Sequence, residues 1–110
     1  MSKHNVVKLK LTAQRLEALN IGYLSVMQHV PEDGHDLLLL EHARELHARL
    51  STMLLNDQQQ YTLKLCGSEA MAFVQLWYQI PVQAGSLMQV VTGEIIKAID
   101  KVSKQPKFIQ

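Results

Sequence analysis

The stretch QQQYTLKLCGSEAMAFVQLWYQI, Gln58 to Ile80, decides how the sequence is interpreted as a fold. Its apolar residues recur at steps of three and four, the spacing that places side chains on one face of a helix. This face consists of Leu63, Cys66, Ala70, Phe73 and Trp77. Just before it, Asp57 and Gln60 have the spacing of a capping box. The pattern predicts a helix over residues 58–80, with the Cys66 thiol packed in the core.

Three further stripes of the same period occur along the 110-residue chain. They predict helices over about residues 13–30, 34–55 and 86–104. The connections between these helices are short, and short connections place neighbouring helices antiparallel. The expected fold class is therefore all-α: an antiparallel up-down-up-down four-helix bundle over residues 12–104, forming one domain without an internal repeat.

The two ends of the chain follow different patterns. In NVVKLKLT, Asn5 to Thr12, apolar and polar residues alternate, which is typical of an extended segment. This alternation predicts a short extended N-terminal arm over residues 1–11, although a first helix that begins earlier remains an alternative. Because Pro106 interrupts the last stripe, residues 105–110 are expected to form a non-helical C-terminal tail.

Composition restricts the class of protein. Hydrophobic residues make up 47% of the chain and charged residues 19%, values that are ordinary for a globular protein and exclude a disordered one. No secretory signal and no run of 18 apolar residues occur, so no membrane contact is expected. The single cysteine, Cys66, cannot form an intramolecular disulfide, which fits a reducing compartment. A cytoplasmic location is therefore predicted.

Several helices carry more apolar residues than one buried stripe requires. These surplus residues are the predicted interface: Leu37, Leu55, Leu65 and Leu76. Sizeable exposed apolar patches usually mark interaction sites. The leading functional hypothesis is therefore a small helical protein that acts through protein contacts, either as a homo-oligomer, most simply a dimer, or as an adaptor for another protein.

Charge is distributed unevenly along the chain. Residues 1–16 contain four basic residues and no carboxylate, while residues 17–94 contain nine carboxylates against three basic residues. In the expected bundle both chain ends lie at one pole, so this pole is predicted to be basic. Its residues are Lys8, Lys10, Arg15, Lys97, Lys101 and Lys104. Docking of a polyanion there is an alternative function, but nucleic acid is not the expected partner because the lysines are spread out and no nucleic-acid motif occurs.

The turn between the first two predicted helices contains a possible metal site. His29, Glu32 and His35 have side chains of the types that bind zinc, iron or nickel, which makes a metal-binding helical bundle a further alternative function. Their spacing crosses a turn, however, so no regular element holds them together. On the next helix, His35 and His42 share one shoulder of the apolar stripe, as in an ordinary amphipathic helix.

No catalytic constellation occurs, so neither enzyme activity nor a cofactor is expected.

Overall fold

Two six-residue segments in which apolar and polar side chains alternate pair with each other as an antiparallel sheet. Strand β1 covers Val7–Thr12 and strand β2 covers Gln60–Leu65, with Leu9 directly opposite Leu63. The computed structural model describes residues 6–103, which form this sheet and four helices, three of which pack against the sheet. The fold is therefore α+β, and the predicted all-α four-helix bundle is wrong.

The four helices follow the strands in the order β1, α1, α2, β2, α3, α4. Their bounds are Ala13–Val26 for α1, Gly34–Leu54 for α2, Gly67–Gln79 for α3 and Leu87–Ser103 for α4. Three of them begin within one residue of the predicted positions. The exception is α3, because residues 60–65 of the predicted helix 58–80 form strand β2 instead.

Cys66 lies at the boundary between strand β2 and helix α3. It is the N-cap residue of α3, with extended backbone angles and an exposed side chain, so the prediction of a packed core thiol is wrong. The Glu69 carboxylate accepts a hydrogen bond from the Cys66 backbone N–H, 2.9 Å away. A carboxylate at the third helical position commonly satisfies the N-cap backbone in this way. Glu69 therefore marks the start of α3, which the sequence analysis placed too early.

The segment predicted as an N-terminal arm is extended, as its alternation indicates, but it is not an arm. Val7 and Leu11 are buried in the core, and every residue of β1 pairs with β2. The strand therefore belongs to the domain. Residues 1–5 and the predicted tail, 105–110, lie outside the described residues.

The order of elements repeats along the described chain, which consists of two β-α-α units. Thr12 and Cys66, which lie 54 positions apart, are the N-caps of α1 and α3. The same offset relates Leu9 to Leu63, and these two residues face each other at the centre of the sheet. It also relates Tyr23 to Trp77, whose rings meet edge to face at 5.3 Å. The repeat escaped the sequence analysis because the equivalent core positions of the helices carry different residues, as Tyr23 and Trp77 do.

The inner face of the sheet and the apolar faces of the helices enclose one core. Its largest fully buried side chains include Tyr23, Phe73, Leu16, Leu19 and Leu63. Antiparallel sheets with one apolar and one polar face usually leave the polar face exposed, as this one does. Within residues 6–103, no helix combines the length and the apolar character that crossing a membrane requires.

Candidate functional site

The outer face of the two-stranded sheet presents six exposed side chains with no carboxylate among them. They are Lys8, Lys10 and Thr12 on β1 and Gln60, Thr62 and Lys64 on β2. Every one of these side chains can donate a hydrogen bond, and three carry a positive charge. This set, called the ribbon face below, is a basic surface built on regular backbone.

The register of the sheet places two of the lysines directly opposite each other. Lys8 pairs with Lys64, whereas Lys10 pairs with Thr62. Like charges at directly opposite positions destabilise a sheet, since their Cβ atoms are only about 5 Å apart. The three ion pairs seen between described residues use Arg15, Arg44 and Arg49, and none of them includes one of these lysines.

Arg49 of helix α2 fixes the end of β2 that carries Lys64. Its guanidinium donates to the Lys64 carbonyl oxygen at 2.9 Å and forms an ion pair with Glu69 in the first turn of α3. Burial alone raises the pKa of Glu69, but hydrogen bonds from Arg49 and from the Cys66 backbone outweigh it and hold that pKa below its ordinary value. Glu69 therefore remains charged, and the β2–α3 junction is held against α2.

Only some residues of the predicted basic pole lie on the ribbon face. Lys8 and Lys10 belong to it, but Arg15 is paired with Glu94 at 2.6 Å. Lys97 and Lys101 are exposed on helix α4, which lies beside β1. The prediction for Lys104 falls outside the described residues.

Lys64 is the residue of the ribbon face that the sequence analysis missed. It was assigned to the acidic middle of the chain, residues 17–94, because the strand around it was taken for helix. The signal that could have revealed it is the strict alternation of QYTLKL, in which Tyr61, Leu63 and Leu65 face inward.

A cleft of about 300 Å³ lies at the ends of helices α1 and α3. Its apolar lining includes Val26, Leu39, Leu40, Leu76 and Ile80. The polar lining comes mainly from the α1–α2 loop and the first turn of α2, through His29, Glu32 and Asp36. A second cavity of about 260 Å³ adjoins it, shares Val26, His29, Ile80 and Pro81 with it, and reaches Trp77.

The predicted metal ligands lie around this cleft but do not converge. His29 and Glu32 line it, whereas the His35 ring nitrogen is bound to the Gln79 side-chain amide at 3.1 Å. Among residues 6–103, no three His, Cys, Asp or Glu side chains come close enough to hold one metal ion. The turn at Pro31 to Gly34 lies between His29 and His35 and directs them apart, as their spacing in the sequence indicates.

A hydrogen-bonded chain of three aromatic side chains crosses the core. The Trp77 indole N–H donates to the Tyr23 hydroxyl at 3.2 Å, and that hydroxyl lies 2.8 Å from Nε2 of His42. Since the Tyr23 oxygen accepts from Trp77, its own hydrogen is available to an unprotonated His42 nitrogen. Burial raises the pKa of Tyr23 far above its usual range and lowers the pKa of His42 to about 4.

The ribbon face, the cleft and the buried aromatic chain are the features of the described chain that ordinary packing does not account for. No protein-family model, curated protein or solved structure matches the chain. Function is therefore inferred from these surfaces themselves.

The predicted interface residues are not on one surface. Leu65 and Leu76 are buried within the core of the chain and cannot line an interface. Leu37 and Leu55 are exposed, at 49% and 84%, but they lie near opposite ends of α2, about 27 Å apart at the helical rise of 1.5 Å per residue. These residues therefore form no continuous patch.

Helix α3 has an exposed face that the sequence analysis did not identify. Met71 is 60% exposed and Tyr78 is 75% exposed, and Gln75 lies between them on the same side. The one charged residue of α3, Glu69, is engaged by Arg49. The outer surface of this helix therefore carries no charge.

Proposed function

We propose that this protein binds double-stranded DNA through the ribbon face. The observation that supports the proposal is the register of the sheet, which gathers Lys8, Lys10 and Lys64 on one exposed face without a carboxylate. Contacts between basic side chains and phosphates dominate the affinity of proteins for DNA. Lys64 comes from a part of the sequence that is otherwise acidic, so only the pairing of the strands creates this surface.

The shape of the ribbon favours duplex DNA over other polyanions. The major groove of B-DNA is about 12 Å wide and admits a two-stranded ribbon, whose strands lie about 5 Å apart. The deep, narrow major groove of double-stranded RNA does not admit it. Lysine, threonine and glutamine side chains can all donate hydrogen bonds to base edges or phosphates, so Thr62 and Gln60 extend the same surface.

The unfavourable contact between Lys8 and Lys64 also fits this function. Two like charges at opposite positions repel each other in the free protein, and a phosphate placed between them relieves the repulsion. A stabilising charge pattern would place a carboxylate at one of these positions. Functional surfaces commonly retain such a cost in stability.

Fluorescence anisotropy with a short, mixed-sequence DNA duplex tests the proposal. Three lysine–phosphate contacts predict that log K falls against log salt with a slope of about −2.7. The substitution Lys64→Gln is expected to weaken binding and to reduce the magnitude of that slope by about 1. Lys64→Arg preserves the charge and should preserve the slope.

The control substitution removes one positive charge from a helix instead of from the ribbon face. Lys97 is exposed on α4, so Lys97→Gln changes the net charge equally without altering the ribbon face. An equal effect of both substitutions would mean that net charge, rather than this face, attracts DNA. Equal affinity for duplex RNA, or for vesicles that contain phosphatidylserine, would contradict the choice of DNA.

Self-association through helix α3 is the second candidate function. It is supported by the uncharged outer face of the helix, where Met71 and Tyr78 are exposed on the same side with Gln75 between them. Interfaces are depleted of charge and enriched in Tyr and Met. Because Gln75 and Tyr78 can both donate and accept hydrogen bonds, two copies of this face are compatible with each other.

Sedimentation analysis over a range of concentrations tests the second candidate. Tyr78→Glu and Met71→Glu should each shift the protein from dimer to monomer, since they place a charge in the contact. Ile21→Glu is the control, because Ile21 is equally exposed but lies on helix α1. A monomer at every concentration, or an equal effect of the control, would contradict self-association.

A further inference from the structure

The cleft at the ends of α1 and α3 combines an apolar lining with negative charge. Glu32 and Asp36 contribute carboxylates, and its lining contains neither lysine nor arginine. Helices α1 and α3 both end at this cleft, at Val26 and Gln79, and neither has a basic residue in its last turn. The carbonyl ends of both helices therefore add partial negative charge.

The apolar part of the cleft is large enough for a small molecule. Its volume of about 300 Å³ lies at the lower end of the range for ligand pockets, and the adjoining cavity extends it toward Trp77. Leu39, Leu40 and Leu76 line one part of it, and Ile80 lies where the two cavities meet. An apolar ligand would bury its methylene groups against these side chains.

We infer that the cleft binds a small organic cation, an amine with an apolar chain. The chain lies along the leucines, and the ammonium group pairs with the carboxylates of Glu32 and Asp36. Two carboxylates at the polar side of the cleft favour a cation over an anion there, and they outweigh the partial positive charge of the α2 N-terminus, whose first turn contains Asp36. This site is separate from the ribbon face and does not depend on it.

The fluorescence of Trp77 provides a direct readout, since it is the only tryptophan of the chain and lines the adjoining cavity. The full-length protein is titrated with hexylammonium, with hexanol as the neutral match and with hexanoate as the anionic match. Amide chemical shifts in the NMR spectrum provide a second readout. Affinity should fall in the order ammonium, alcohol, carboxylate, and each added methylene of the amine should tighten binding about fourfold.

The carboxylates are tested by Glu32→Gln, a loop substitution that leaves helix α2 intact. Losing one charged partner should weaken hexylammonium binding about fivefold to tenfold and leave hexanol binding unchanged. The control is Glu17→Gln, which removes an exposed carboxylate of α1 outside the cleft.

Three results would overturn the inference. The first is hexanoate binding as tightly as hexylammonium. The second is equal weakening by Glu32→Gln and Glu17→Gln. The third is no change in Trp77 fluorescence or in the amide shifts of cleft residues with any of the three compounds. None of these results depends on whether the ribbon face binds DNA.

Discussion

The protonation of His42 depends on its buried position beside Tyr23. It is 8% exposed and hydrogen-bonded to the buried Tyr23 hydroxyl. The helical pattern of the sequence places His42 beside the apolar stripe of α2, and this position is correct. That pattern contains no information about Tyr23, which lies 19 positions away on another helix, so the buried polar chain could not be predicted.

We expect His42 to make the stability of the protein depend on pH. Its pKa is about 4 in the folded protein, compared with 6.5 when unfolded, so the unfolded chain binds more protons in this interval. Stability should be complete above pH 6.5 and should fall as the pH approaches 4, by about 3 kcal/mol in the free energy of unfolding. Urea unfolding at a series of pH values measures this loss.

The substitution His42→Gln isolates the effect of the histidine. Glutamine can still hydrogen-bond to Tyr23 but does not titrate, so most of the loss between pH 6.5 and 4.5 should disappear. Glu69, whose pKa is lowered from 4.5, contributes only below that interval. His29→Gln, which replaces an exposed histidine outside this hydrogen-bonded chain, is the matched control, and an equal effect of both substitutions would contradict the assignment to His42. A wild-type profile that is flat from pH 7 to pH 5 would contradict this account.

Strand β2 is the element that the sequence analysis assigned wrongly. Leu63 and Cys66 happen to continue the helical spacing of Ala70 and Phe73, so the strand and helix α3 appeared as one stripe. The alternation of Tyr61, Leu63 and Leu65 covers only six residues, and short apolar runs are ambiguous between helix and strand. The pairing partner, β1, is about 50 residues away, and no local pattern reveals it.

The pairing of Lys8 with Lys64 makes a prediction about the sheet. Replacing either lysine with glutamate converts a repulsive cross-strand contact into an attractive one. Lys8→Glu and Lys64→Glu should each raise the free energy of unfolding, by up to about 1 kcal/mol. Both substitutions should weaken DNA binding, because each removes a cation from the ribbon face.

The double substitution is the matched control for the sheet prediction. When Lys8 and Lys64 are both replaced by glutamate, like charges again stand opposite each other, and stability should return close to that of the wild type. Additive gains in the double variant would mean that the two positions do not interact, and the register of the sheet would then be in question.

At the scale of the whole molecule, the two β-α-α units share one core. Leu9 faces Leu63 in the sheet, and Tyr23 packs against Trp77 between the helices. Each unit contributes one strand, and a single strand has no hydrogen-bonding partner within its own unit. The helix bounds could largely be predicted from the sequence, but this arrangement depends on contacts between positions 54 apart, which periodicity does not reveal.

The shared core predicts that neither unit folds alone and that the two units fold together. The α2–β2 connection, residues 56–59, is exposed, so the chain can be divided there into fragments 1–57 and 58–110. Each fragment alone should show no cooperative thermal transition in circular dichroism, because its strand and the inner faces of its helices lack their partners. An equimolar mixture should recover a cooperative transition whose midpoint rises with concentration, as expected when folding and association are coupled. A cooperative transition in either isolated fragment would show that the unit has its own core, and the contacts between the units would then be docking contacts between two folded halves.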